Sequence, residues 1–539
     1  MFQTESLWFL PLFLYAETHY RFPYFFSLLR KNEPEIIADA PHRIEPGSPL
    51  PILILIKDAH LFPCELEQVR TELSQDGRVV CRDTHLTSPL MLGEKYASFT
   101  LPIDVSEYHD WIEIDVAFSV RVRGVLREYH NDNHRFSSRD PLRVFLSSHP
   151  LPRFPDLYLG DPHVHSTYTE DQVEFGSPLP ESQVLARAMG LSFICVTDHS
   201  YDLDDRLDNY LENDANLPKW KLLQTEIDQL NEAHPDCVVI RGEEVTCRNS
   251  RGKNVHLLLL GQRDFVRGSG DSAERELQIE SEYSIAEVIA LRSETGVAYA
   301  AHAMEPVPFL QRLLLGRSEW LHEDFGVADL SGLQIVNGKV DEGLSRGLDS
   351  WTRHLLQGRR LNGLAGSDAH GNFNRFRQIG IPFLTIRETT HHIFGKMRTG
   401  VFVRDAFDET SVLRSLKEGK SILTDGPIAR IVLRRDISAD GQSQFQRKSC
   451  HIGIEVISTP EFGRIDSVRL VIGKIGRTRE QIALQYHGVA HYEYRTDITL
   501  DALSADYARA EVYTLKAGTF DGNPHFCLTN PLWFEYQSQ

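Results

Sequence analysis

LYLGDPHVHSTYTE, residues 157–170, opens the stretch that decides the fold. A short apolar run, Leu157–Gly160, leads into Asp161-Pro162 and then into two histidines two residues apart, His163 and His165. In extended backbone, residues i and i+2 face the same way, so both imidazoles can reach one ion. The same construction recurs downstream. SFICVT (192–197) leads into Asp198-His199, and CVVIR (237–241) into Gly242-Glu243-Glu244. GVAYAA (296–301) leads into His302, and LNGLAG (361–366) into Ser367-Asp368-Ala369-His370. VHLLLL (255–260) carries His256 near its start.

Between these runs lie segments with apolar residues at helical spacing: Ser182–Met189, Trp220–Ala233 and Ile285–Glu294. Strands alternating with helices predict an α/β region with a parallel sheet and crossovers, either a barrel or a doubly wound sheet. In a barrel the C-terminal strand ends converge on one face, where side chains remote in sequence meet. Each element alone is weak. The chain has 23 histidines, so a His-x-His arises by chance, His256 reads equally as a core histidine, and Glu243-Glu244 reads equally as a solvated pair. Their repeated placement at strand ends is what points to a metal site. Imidazole and carboxylate suit zinc, iron and manganese, and no cysteine stands among them, which argues against a thiolate zinc cluster.

The flanks read differently. Residues 1–153 contain alternating runs such as PILILIKDA, YASFTLPIDV and WIEIDVAFSVRV, which predict a β-sandwich-like domain ending at Pro150, Pro152 and Pro155. The central region spans 154–427. After Gly426-Pro427, residues 428–539 return to strand-like runs (HIGIEVIS, SVRLVIG, ARAEVYTL) and predict a second β-sandwich-like domain. The polar stretch Gly268–Glu282 reads as an exposed loop.

The 539-residue chain is 41% hydrophobic with a formal net charge of −19, which gives no general electrostatic reason to bind nucleic acid. Seven irregularly spaced cysteines without a CxxC favour a reducing compartment. LWFLPLFLYA (7–16) lacks a basic start, contains a proline and is too short to span a bilayer, so the expectation is a cytoplasmic protein without a membrane partner. The sequence leaves homo-oligomerisation open.

The ordered motifs HVHSTYTED, VTDHS, RGEEV, NVHLLLLG, AAH and GSDAH resemble those of the PHP (polymerase and histidinol phosphatase) superfamily, over roughly residues 157–425. Gly160-Asp161, Thr424–Pro427 and Thr529-Asn530-Pro531 are similar to features of its carbaryl-hydrolase-like branch. The resemblance implies a distorted (β/α)7 barrel and two or three divalent ions (Zn, Mn or Fe). It implies that His163, His165, Glu244 and Asp368 hold the first ion, and that Glu244 bridges to a second completed by His256 and His302. A third would take Glu170, His199 and His370. The family usually carries Asp where Glu170 stands; Asp171 follows at once, and Glu170 keeps the spacing.

Such a cluster is expected to activate a water as hydroxide for hydrolysis. A phosphoesterase acting on a small, anionic molecule is the leading expectation. A carbamate, carboxylic ester or amide hydrolase is the alternative, and a non-catalytic metal-binding interaction protein represents a different class. Glu244, His199 and Asp198 are the candidates for catalytic roles, Asp198 as the orienter of its neighbour. Arg251, Lys253, Arg375 and Arg377 are candidates to grip a phosphate, and Asn337 to bind substrate or an outer water.

Overall fold

The computed structural model describes residues 33–534 apart from 87, 135–136, 171–175, 211, 272–278, 381–384, 435–448 and 502–503. The apolar stretch 7–16 and Asp171 lie outside the described residues.

Alternating runs near the N-terminus form two sheets. Glu35–Asp39, Leu50–Lys57 and Tyr96–Ile103 make one; the other is ordered Arg43–Ile44, Leu142–Leu146, Asp110–Val122, Cys64–Gln75, Arg78–Thr84. Their inward residues, among them Ile52, Ile54, Val69, Ile112 and Phe118, share one core. Burying one face of each strand is what period-two patterning achieves.

The expected (β/α)7 barrel is overturned. Among the described residues there are seven helices, strand (42%) far outweighs helix (15%), and the strands join in large mixed sheets. The central strands enter one 15-stranded sheet. Leu157–His165, Phe193–Val196 and Val238–Arg248 run parallel, but Val238–Arg248 pairs antiparallel with Asn254–Leu260, which pairs antiparallel with Val297–Ala300. The physical reason is short connections. Only residues 249–253 separate Val238–Arg248 from Asn254–Leu260, whereas a parallel crossover needs about a dozen or more. Parallel pairing resumes through Gly332–Asn337 and Asn362–Gly366. The next segment, Ala369–His370, pairs parallel with Val164–His165, so the first and last ligand-bearing strands meet.

On the other side of Leu157–His165 the sheet continues without a break. It passes through Arg398–Phe402 and Ser421–Thr424 into Phe526–Thr529, Tyr507–Thr514, Ile465–Gly473 and Gln481–His487, all antiparallel. Ile428–Arg434, Ser449–Ile457 and Glu493–Asp501 form a separate three-stranded sheet whose Ile428, Ile452 and Ile454 pack in the same core as Val468 and Leu470. Buried Arg43 bonds both oxygens of buried Glu461 at 2.7 and 3.0 Å, tying the first region to the last. Among the described residues, no helix is long and apolar enough to cross a membrane.

Candidate metal centre

The first ligand strand carries His163 and His165 on one side, both buried. Asp161 staples this strand to the chain that brings Asp368: its carboxylate accepts from Ser367 N (3.0 Å), Ser367 Oγ (2.5 Å) and Gly395 N (2.8 Å). Burial pushes the Asp161 carboxyl up to about 6. Gly366 makes the close approach feasible, because a Cβ there would stand 2.9 Å from the Cβ of His163. Asp368 itself has φ +55°, and His302 has φ +29°. Left-handed backbone at a non-glycine residue costs about 1–3 kcal/mol and persists only where the surroundings impose it. Here the Asp368 amide donates to His163 O (2.8 Å) and the His302 amide to Gln334 Oε1 (3.1 Å).

His163, His165, Glu244 and Asp368 form a compact donor set. His163 Nε2 lies 3.3 Å from His165 Nε2, 3.5 Å from Glu244 Oε2 and 3.2 Å from Asp368 Oδ1. His165 Nε2 lies 3.4 Å from Glu244 Oε2 and 3.3 Å from Asp368 Oδ1. Donors ~2.0–2.1 Å from a tetrahedral ion stand about 3.3–3.4 Å from each other. Five edges of the tetrahedron therefore have the length that one small cation would give, so the donor set fits the ion that the motifs imply.

Glu244 is the hub. It is 1% exposed, and its other oxygen, Oε1, lies 2.7 Å from His256 Nδ1 and 2.9 Å from His302 Nε2. Oε2 also lies 3.2 Å from His199 Nδ1. His199, Glu244 and His256 form a second set, and His165, His199 and His370 a third. Burial opposes ionisation of Glu244, but His256, His163 and His199 outweigh it and hold the carboxyl well below its ordinary range. Burial likewise opposes a charged His163, yet Asp368 and Glu244 carry it up to about 10.

Glu170 does not join these sets. Its buried carboxylate meets Lys95 Nζ at 2.7 Å and Lys219 Nζ at 3.7 Å. Asp198 touches no ligand ring: it accepts from Ser166 N (2.7 Å), Ser166 Oγ (2.6 Å) and Thr169 N (3.1 Å). It thereby shapes the turn whose Thr169 Oγ1 meets His165 Nδ1 at 3.2 Å and accepts from His199 N. That makes it a positioning residue rather than a catalytic one.

The expected phosphate grips stand elsewhere. Arg251 and Lys253 are exposed at the hairpin tip, where their amides donate to Asn249 Oδ1; the strand leaves Glu244 about 13 Å behind by Arg248. Arg375 binds Ser138 Oγ, Glu388 and the Asp140 and Pro141 carbonyls, clamping the N-terminal region. Arg377 lies in Phe376–Gly380, opposite Glu388, and its side chain lies outside the described residues. Asn337 donates to Asp368 Oδ2 (3.2 Å) and Glu305 Oε2 (2.8 Å), so it orients a candidate ligand.

Three residues escaped the sequence reading. Gln334 Oε1 lies 2.9 Å from His163 Nδ1; the one signal was a polar residue inside the apolar run GLQIV. Asp271 Oδ2 lies 2.9 Å from His256 Nε2, while its Oδ1 accepts from Thr246 Oγ1 at 2.6 Å. A carboxylate behind a ligating imidazole fixes its tautomer and direction. Asp271 belongs to Gly268–Glu282, yet Ser269, Asp271 and Ser281 are buried, which corrects the exposed-loop expectation for the described part. Arg317 Nε sits 2.9 Å from Asp271 Oδ2 and its Nη2 2.8 Å from His256 Nε2; nothing in its sequence context marks it.

No family model matches the chain, and no curated protein matches it by sequence. Solved structures similar to it include a protein from Archaeoglobus fulgidus, 12% identical over 18% of this chain and 91% of that one, with a TM-score of 0.14. Another is a calcium-binding mutant of beta-glucuronidase 2 from Bacteroides uniformis, 11% identical over 92% of this chain and 60% of that one, with a TM-score of 0.18. Likenesses this slight leave the site to be read from its own geometry, and that geometry contains clusters of His, Asp and Glu that could hold a metal ion.

Proposed function

We propose that the chain is a metal-dependent hydrolase of the kind its motifs resemble, acting on a small phosphoester. The observation that carries this is the two-sided environment of Glu244: Oε2 faces His163 and His165, Oε1 faces His256 and His302. A carboxylate so placed could serve one ion together with His163, His165 and Asp368 and another together with His256 and His302. Divalent ions held there would supply Lewis acidity and an activated water for attack at phosphorus.

The protein's own groups supply the rest. Gln334 and Asp271 fix the ring directions of His163 and His256. Asn337 orients Asp368. His199, beside Glu244 and stacked 4.7 Å from Tyr201, would be the group to pass a proton to a departing oxygen. The Arg317 guanidinium next to His256 suits an anionic substrate better than a neutral one.

The test is turnover of a panel of phosphomonoesters and diesters by protein loaded with manganese or zinc. Hydrolysis is expected, and His163→Ala should abolish it. Cleavage of aryl carbamates with no release from any phosphoester would transfer the reading to carbonyl chemistry. Failure to bind either metal would end it.

A further inference from the structure

The third ion implied by the motif resemblance lacks a free carboxylate ligand. A neutral imidazole has one lone pair to give a cation. His165 Nε2 already stands in the tetrahedral set. His199 Nδ1 faces the Glu244 carboxylate, which leaves its other nitrogen to a cation, so His199 and His370 could still serve and the third ligand would be the carboxylate of Glu170. Glu170 is engaged by two ammonium groups, Lys95 from the N-terminal β-region and Lys219 from the helix Pro218–Ala233. Lys219 is in turn held 3.0 Å from buried Asp205.

We propose that the Lys95 ammonium occupies the electrostatic place of a third metal ion, so that this centre binds two ions and the N-terminal region sets that number. Glu170 follows Thr169 in sequence, and the Thr169 hydroxyl contacts both His165 and His199. A salt bridge at 2.7 Å between a lysine 25% exposed and a carboxylate 7% exposed neutralises the charge a third cation would need. Lys95 lies outside the motif-bearing stretch, so the first β-region supplies the partner of a carboxylate that the resemblance assigns to an ion. The inference rests on the metal-centre reading above.

The experiment counts manganese ions per chain on full-length protein, by elemental analysis after equilibrium dialysis and by calorimetric titration of metal-free protein. Wild type should take two. Lys95→Met, at a partly exposed position, should take a third with at least tenfold higher affinity than wild type shows for any third ion. Lys95→Arg, which keeps the charge, should stay at two. Glu170→Gln should leave wild type at two and remove the third ion from Lys95→Met. Three tight ions in wild type, or two in both wild type and Lys95→Met, would overturn the inference while leaving the metal centre intact. No ions in wild type would overturn both.

Discussion

Replacing Gln334 by Met keeps chain length and volume but removes every polar atom of the amide. In the structure this side chain is 2% exposed. It accepts at Oε1 opposite His163 Nδ1 (2.9 Å) and from the His302 amide (3.1 Å), and donates to Asn337 Oδ1 (2.8 Å). Gln334→Met strands three buried groups, each at a cost of about 1–3 kcal/mol, so metal-free protein should lose at least about 3 kcal/mol. Two of those groups belong to candidate ligands. Losing a partner behind a ligand costs ~10–100-fold in metal affinity, about 1.4–2.8 kcal/mol. Gln334→Glu keeps both acceptor contacts and loses only the donor to Asn337, so it should fall between wild type and Met. Chelator competition with zinc measures the affinities, and urea denaturation of metal-free protein measures the stabilities. If Gln334→Met binds zinc within about threefold of wild type, Gln334 does not hold the ligands in place and the reasoning fails.

Two further outcomes follow from ionisation. The His163 pKa, up to about 10, means an incoming ion displaces a proton, so metal affinity should rise about tenfold per pH unit between pH 6 and 8 for one proton released. Calorimetry in buffers of different ionisation enthalpy reads that proton directly, and a buffer-independent heat would refute it. His525 lies between Asp425 (3.1 Å) and Asp521 (3.3 Å); burial opposes its charge, but these carboxylates raise it from 6.5 to about 9. The folded value is the higher one, so its stabilisation is complete below about pH 6.5 and is lost as pH rises through about 9. Melting temperatures should fall across that window in wild type and less in His525→Gln; equal slopes would show that the charge is not paired as described.

The strands were legible because their residue patterns are local. PILILIKDA, SFICVT, GLQIV and SVRLVIG each fall on a strand. Strand direction was not legible from the runs alone. CVVIR continues through Glu244 to Arg248, which shortens the following connection to a hairpin turn and cancels the expected crossover. The pairing of Ser421–Thr424 with Phe526–Thr529 is equally invisible, because a contact about a hundred residues apart leaves no periodic trace. At the site, no single imidazole or carboxylate was telling, but their repeated placement at strand ends was, and the structure gathers seven of them into sets that could hold a metal ion. Glu170 has the residue type and spacing of a ligand, but its partner Lys95 stands 75 residues away, where no local pattern reveals it. Gln334, Asp271 and Arg317 act through other side chains, and residues of those types serve too many purposes to be singled out.

The unbroken sheet also changes what counts as a separable piece of this molecule. Gly426-Pro427 looks like a seam, yet Ser421–Thr424, paired on one edge with Arg398–Phe402, has its other edge covered by Phe526–Thr529. Asn530 reaches back to bond both the amide and the carbonyl of Gly363, on the strand that leads to Asp368. A fragment ending at 427 would bare an apolar strand edge containing Ile422 and Leu423, a template for self-association. It should therefore aggregate on expression while the full chain stays dispersed, and a monodisperse, metal-binding fragment would contradict this. The tail, about a fifth of the 539-residue chain, is continuous with the central sheet rather than an appended module, so shuffling or trimming at that seam would reach the candidate metal ligands from the far end of the chain.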